Sequence, residues 1–307
     1  MPAGHIPVLL QETLRLLSPA PGEVFLDGTA GAGGHAEEIA RRIGPGGILV
    51  CADADPAMLA IATRRLQGFE CVRSIHADFS DFEKLEGAAG GRMFDGMLLD
   101  LGISSLQLDD PSRGFSFRED GPLDMRRDPG ARVPTARDIL RRANEKELAD
   151  IFYRFGEERF SRRIARAIAS QREREPIERT LQLADLVKRA IPRKAWPRDI
   201  HPATRVFQAL RIAVNHELSS LSAFLDGFAR HLAPGGRVAV ISFHSLEDRM
   251  VKVAFRGQSA GENAVLEVLT RKPVVPGAEE IHANPRARSA KLRAARIGGQ
   301  KEDPCRE

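Results

Sequence analysis

Over the first hundred residues, short apolar runs alternate with amphipathic stretches. VFLD (24–27), GILVCAD (47–53), CVRSIHAD (71–78) and FDGMLLDLG (94–102) are compact apolar runs bounded by turn residues, the pattern of buried strands. Between the first pairs, HAEEIARRI (35–43) and PAMLAIATRRL (56–66) repeat apolar residues at helical spacing. Asp55 followed by Pro56 reads as an N-cap and a proline at the first helical position, where its missing N–H costs nothing. Repeated strand–helix–strand units predict an α/β fold, a parallel sheet with helices on both faces.

From about Leu106 to Thr204 the strand pattern stops. Helical stretches such as ARDILRRANEKELADIFYRF and ERFSRRIARAIASQRE take over, punctuated by Pro111, Pro122, Pro129, Pro134, Pro176, Pro192, Pro197 and Pro202. The α/β pattern then returns. NHELSSLSAFLDGFARHL (215–232) reads as a helix closing at APGG, RVAVISF (237–243) as a strand, and VLEVLT (265–270) and SAKLRAARI (289–297) as two more. A helical module inserted into one α/β domain explains this order better than two domains in tandem. The expected division is residues 1–105 and 205–307 for the α/β domain and 106–204 for the insert. The length of 307 residues agrees, since about 150 residues per domain is the usual prior.

Composition narrows the class. Hydrophobic residues at 42% suffice for packed cores, and no apolar run approaches the roughly 20 residues of a membrane span. The opening MPAGHIPVLLQETL has no basic n-region or long apolar stretch, and Cys51, Cys71 and Cys305 lack metal-ligand spacing. A reducing cytoplasm is therefore expected, with no disulfide framework and no zinc site. The net charge of +4 hides an asymmetry: residues 1–105 carry 8 basic and 14 acidic side chains, 106–204 carry 22 and 17, and 205–307 carry 16 and 11. A basic surface following an acidic first third suits a polyanionic partner, although solvated helix faces have the same composition.

The candidate chemistry begins at VFLDGTAGAGGH. The first strand ends in Asp27, and Gly28, Gly31, Gly33 and Gly34 let the backbone approach a ligand before the next helix. Twenty residues after Gly33, Asp53 ends the second strand, where a carboxylate can hold a ribose diol. This geometry serves a dinucleotide or S-adenosylmethionine. GAGGHA (31–36) satisfies the dinucleotide pattern GxGxxA, but an acid closing the first strand is a methyltransferase habit. A glycine-rich turn that binds nothing is the remaining alternative. Asp100, at the carboxyl end of the fourth strand, stands where open α/β sheets hold ligands and amino-methyltransferases hold the amine; a turn cap is its bland reading. Phe79, after the third strand, is either a base-stacking platform or core, and residue type favours core.

Together these segments resemble the ribosomal RNA small subunit methyltransferase H family. HIPVLLQE (5–12), DGTAGAGGH (27–35), FDGMLLDLGISS (94–105), RGFSFREDGPLDMR (113–126), GEERFSRRIARAI (156–168), HPATRVFQALRIAVNHEL (201–218), PGGRVAVISFHSLEDRMVK (234–252) and NPRARSAKLR (284–293) match in order, so the resemblance spans nearly the whole chain. It implies a Rossmann-like class I methyltransferase sheet with an inserted helical domain, and S-adenosyl-L-methionine as cofactor. It also implies an N4-cytosine methyl transfer to small-subunit (16S) rRNA at the decoding centre, on the assembling small ribosomal subunit. The family's cofactor contacts fall on Gly33, Gly34, His35, Asp53, Phe79, Asp100 and Gln107, with Asp100 also the catalytic candidate. For Phe79 the resemblance overrides the core reading. This chain departs from the family at Leu106, where proline is common, and at Arg127, where methionine is common.

No metal is needed for such a transfer. His244, Ser245, Glu247 and Asp248 read equally well as pocket-wall or structural residues, and no GxSxG elbow marks a hydrolase. Between Arg154 and Asp199 the insert has 13 basic and 7 acidic residues, and the tail adds Arg286, Arg288, Lys291, Arg293 and Arg296, a composition suited to phosphate. A non-catalytic RNA-binding assembly factor and an NAD-dependent oxidoreductase remain as alternatives. A DNA amino-methyltransferase is a third, though DLGIS stands where its proline-rich tetrapeptide is expected.

Overall fold

All four apolar runs of the first hundred residues become strands in the computed structural model, which describes residues 7–261 and 264–298. Helix α1 (Leu10–Leu17) precedes β1 (Val24–Asp27), α2 (Gly34–Ile43), β2 (Ile48–Asp53), α3 (Pro56–Arg65), β3 (Val72–His76), α4 (Phe82–Ala88) and β4 (Phe94–Asp100). The Asp55 carboxylate accepts from the Ala57 and Met58 N–H groups, the N-cap expected before Pro56. Contrary to expectation, β3 is not a fully buried strand: Arg73, Ser74 and His76 are exposed. Among the described residues it pairs only with β2, at one edge of the sheet, so solvent reaches it.

Six helices follow: α5 (Ser105–Asp109), α6 (Ala136–Arg142), α7 (Glu145–Gly156), α8 (Ser161–Arg172), α9 (Thr180–Ala190) and α10 (Thr204–Asn215). Their core collects Leu148, Phe152, Ile164, Ile168, Val187, Val206 and Leu210. Gly156 ends α7 against α10, and a Cβ there would stand 2.5 Å from the Arg205 carbonyl oxygen. Reciprocal capping boxes start α6 (Thr135 with Asp138) and α7 (Asn144 with Glu147). Buried Glu217 takes a two-pronged hydrogen bond from Arg211, at 2.9 Å to each oxygen, and lies 3.4 Å from the Arg127 guanidinium.

The chain returns to the sheet through α11 (Glu217–Gly227), β5 (Leu232–Ser242), α12 (Ser245–Gln258), β6 (Leu266–Val268), α13 (Ala278–Ala283) and β7 (Lys291–Ile297). Strand order is β3-β2-β1-β4-β5-β7-β6, with β1 to β5 parallel and β7 antiparallel to both neighbours. This is the doubly wound order 3-2-1-4-5-6 with a last strand slipped in antiparallel, a Rossmann-like class I methyltransferase sheet. One face packs Phe94, Phe224, Phe228 and Phe255, the other Leu9, Leu17, Ile39 and Ile43. Each such side chain contributes about 1.5–3 kcal/mol by leaving water.

The chain forms two compact units, one from its two ends up to Gly102 and from Ser219, the other Ile103–Leu218. No helix among the described residues is long and apolar enough to cross a membrane.

Candidate functional site

In the doubly wound sheet, β1 and β4 lie side by side where the winding reverses, and their carboxyl ends define the crevice in which such sheets hold ligands. Asp27 ends β1 and Asp100 ends β4. Thr29 ties them together: its N–H donates to Asp27 Oδ1 at 3.2 Å, and its hydroxyl oxygen accepts from the Asp100 N–H at 2.6 Å.

The glycine loop is pinned from the next strand. Asp53 Oδ2 accepts from the Gly31 N–H and Oδ1 from the Asp55 N–H, both at 2.8 Å. Gly33 sits at φ 79°, a left-handed conformation that a side chain would strain, and its missing Cβ would meet the Ala62 backbone at 3.2 Å. At Gly34 a Cβ would fall 2.4 Å from Pro7 Cγ, so the N-terminal segment lies directly on the start of α2. His35, in the first turn of α2, donates from Nε2 to the Val8 carbonyl at 3.0 Å and brings Nδ1 to 3.7 Å from Asp100 Oδ2.

Burial sets the electrostatics. Asp27 is 2% exposed. Burial pushes its carboxyl up to about 7; the Thr29 N–H pulls it back, and the neighbouring charge of Asp53 adds to the rise. Asp100 is pushed up to about 8, chiefly by burial and then by the negative charges of Asp27 and Glu247. Solvent still reaches 24% of the Asp100 side chain, yet Oδ1 is enclosed and has no hydrogen-bond partner. A buried oxygen without a donor is costly, and the cost disappears if a ligand supplies an N–H or a positive charge.

Gly33, Gly34, His35, Asp53 and Asp100 are thus brought together at one end of the sheet. Phe79 lies behind the loop, 4% exposed and edge-on to Phe224 at 5.9 Å, in the core that residue type alone favours. Gln107 belongs to the helical unit. It is buried in α5, and its Oε1 accepts from the Ser104 N–H at 2.8 Å in a capping box.

His244 and Glu247 cap α12 reciprocally, and Glu247 Oε2 also accepts from the Phe243 N–H at 2.9 Å. Burial alone would raise the Asp248 carboxyl, but hydrogen bonds from Arg293 and Lys291 outweigh it and hold it below the usual range. That pairing corrects the reading of the tail: Lys291 and Arg293 are engaged with Asp248 and Arg296 with Glu267, so β7 is not an uncompensated basic strip. On α8, by contrast, Arg162, Arg163 and Arg166 are all exposed, with only a 3.5 Å approach of Arg166 to Glu145. Thr29 was not singled out in the sequence; the Asp-Gly-Thr turn closing β1 is the signal that would have found it.

The MraW methylase family model matches residues 2–297. A protein named ribosomal RNA small subunit methyltransferase H, from an Anaeromyxobacter species, is 51% identical over 304 residues, covering 94% of this chain and 96% of that one. Proteins of the same name from Geobacter sulfurreducens and a Cyanothece species are 50% and 51% identical, over 310 and 292 residues. These alignments cover 96% and 95% of this chain, and 99% and 94% of the relatives.

Proposed function

Because the chain belongs to the MraW methylase family, we propose that it methylates the exocyclic N4 amine of a cytidine in the decoding centre of small-subunit rRNA. Its cofactor is S-adenosylmethionine, whose positively charged sulfonium supplies the methyl group and leaves as a neutral thioether. Membership of a methylase family removes the nicotinamide oxidoreductase from contention.

One observation carries the assignment of the reacting centre: Asp100 Oδ1, enclosed and without a donor at the carboxyl end of β4. Such an oxygen fits a cationic cofactor and an incoming amine. Asp53 holds the ribose diol, Gly33 and Gly34 admit the cofactor's backbone-facing side, and His35 orients Asp100. Phe79 is the remaining contact within the sheet unit. Phe79 is the member that packing favours least, since its ring is already committed against Phe224.

The cytosine amine is a weak nucleophile because its lone pair is delocalised into the ring. An acceptor on its N–H groups favours the tetrahedral nitrogen that attacks, and Asp100 stabilises the positive charge that develops there. The protein's other task is alignment and exclusion of water, which needs no metal. The target base must leave its stack to reach a site at the end of a sheet. The exposed arginines of α8 contact phosphates of the RNA. The substrate is the assembling small subunit, which places the reaction in the cytoplasm.

The test uses labelled S-adenosylmethionine and small subunits from cells lacking this enzyme, with the modified nucleotide then mapped. The expected product is N4-methylated cytidine at one decoding-centre position. Label on another base, or none, overturns the assignment. Asp100→Asn keeps the shape but loses the charge, and is expected to slow single-turnover transfer by about 10²-fold even at saturating cofactor and RNA. A rate restored to wild type by saturating S-adenosylmethionine would make Asp100 a cofactor ligand only.

A further inference from the structure

The carboxyl end of the sheet gathers several acids. Asp100 of β4 is faced by Asp27 from β1, by Glu247 from the first turn of α12 and by His35 from α2, with His244 beside Glu247; Asp53 of β2 faces Asp27 in turn. Among the described residues, neither Asp27 nor Asp100 has a lysine or arginine in ion-pair range, whereas Asp248, one residue after Glu247, is matched by both Lys291 and Arg293. Thr29 gives Asp27 one N–H, and its hydroxyl serves the Asp100 backbone and not the Asp100 carboxylate. Asp100 Oδ1 receives nothing. Two ionised carboxyls on adjacent strand ends, one with an oxygen no donor reaches, are a poor resting state in a buried place.

We propose that Asp100 rests as a neutral acid, yields its proton to solvent when S-adenosylmethionine binds, and regains a proton from the methylated amine after transfer. The inference rests on Asp100 contacting both cofactor and amine, as argued above. The proton balance closes. On binding, the Asp100 carboxyl becomes a carboxylate and one proton enters the buffer. The carboxylate then holds the amine N–H groups while the carbon–nitrogen bond forms and the carbon–sulfur bond breaks. The product nitrogen carries the positive charge and two protons, one of which passes to Asp100. With the sulfonium charge gone, the burial and neighbouring acids that made Asp100 a strong proton holder act again, and the neutral acid is restored. Each turnover releases one proton, as the overall reaction requires. Cofactor and demethylated product differ by one methyl group and one positive charge, so the site tells them apart by a proton.

Linkage makes this measurable without turnover, because a ligand that expels a proton must bind more tightly as pH rises. Binding of S-adenosylmethionine and of S-adenosylhomocysteine is measured by calorimetry at pH 7 in buffers of different ionisation heat. Both ligands carry the same amino and carboxyl groups, so the difference between them isolates the sulfonium's effect. The expected result is about half to one proton more released with S-adenosylmethionine. Its Kd should fall by nearly tenfold per unit between pH 6 and pH 7.5, with a much smaller change for S-adenosylhomocysteine. In Asp100→Asn the difference in proton count should vanish. Equal proton release by the two ligands in the wild-type protein overturns the inference while leaving the cofactor site standing. A difference that survives in folded Asp100→Asn puts the proton on another group and also overturns it. Absence of binding by either ligand removes the cofactor reading itself, and the inference with it.

Discussion

Asp27 illustrates what a single buried carboxyl does to the energetics of this fold. Its proton affinity in the folded protein is raised to about 7 from an ordinary 3.8, so the folded state binds the extra proton between those values. Stability from this group is therefore fully present below about pH 4 and is lost as pH rises towards 7 and beyond. Asp27→Asn keeps an acceptor for the Thr29 N–H and removes the ionisation. It should stabilise the protein at pH 8 by ~2–4 kcal/mol and change little at pH 4, read from urea unfolding at the two pH values. A variant no more stable than wild type at pH 8 would mean that Asp27 ionises at little cost. Asp53→Ala removes the acceptor that pins Gly31 and Asp55, and calorimetry should show S-adenosylmethionine binding weakened by about 1.5–3 kcal/mol. The glycine loop and Asp53 were legible because their signal is local, a fixed spacing within one strand–helix–strand unit. The Asp27–Thr29–Asp100 link was not, because it joins residues 71 apart through the pairing of β1 with β4.

At the scale of elements, periodicity locates the strands but says nothing of which side chains meet across them. β7 shows why: NPRARSAKLRAAR carries five basic residues and no acid, yet Asp248 on α12 and Glu267 on β6 neutralise three of them. Charge along a sequence does not reveal charge across a sheet. α8 keeps its arginines exposed, so it is where phosphate contact is expected. Replacing Arg162, Arg163 and Arg166 together with Gln should weaken RNA binding and flatten its salt dependence by about three counterions' worth of slope. An unchanged slope would assign these arginines to a solvated face. Buried Glu217 gives a sharper structural test, because one acid answers two arginines. Glu217→Ala removes the buried acid that Arg211 and Arg127 both approach and should cost about 3–5 kcal/mol in thermal or urea unfolding. Arg127→Met, the residue common in the family, leaves the two-pronged Arg211 pair intact and should stay within about 1 kcal/mol of wild type. A large loss from Arg127→Met would show that Arg211 alone does not satisfy Glu217.

Over the whole molecule, the charge divides with the fold. The sheet unit holds 22 basic and 24 acidic side chains, and the Ile103–Leu218 unit holds 24 and 18. The sequence pattern predicts an insert over 106–204, whereas the compact helical unit extends through α10, whose buried face packs on α6 and α7. Periodicity shows that α10 has an apolar face but not which core receives it, so the boundary was invisible where a helix crosses it. On the proposed function the division would separate two kinds of binding. Cofactor recognition by a few hydrogen bonds at the sheet's carboxyl end would add little counterion release, whereas RNA recognition by a unit of net charge +6 would displace counterions from phosphates. Raising salt from 50 to 200 mM should therefore weaken RNA binding by about 20-fold or more for three phosphate contacts, and change the S-adenosylmethionine Kd by less than about twofold. Filter binding for RNA and calorimetry for the cofactor, on the same preparation, measure both. If the two affinities fell in parallel, the cofactor's binding would depend on the same screened field as the RNA's. The reaction's two substrates would then not be held by separate physical means.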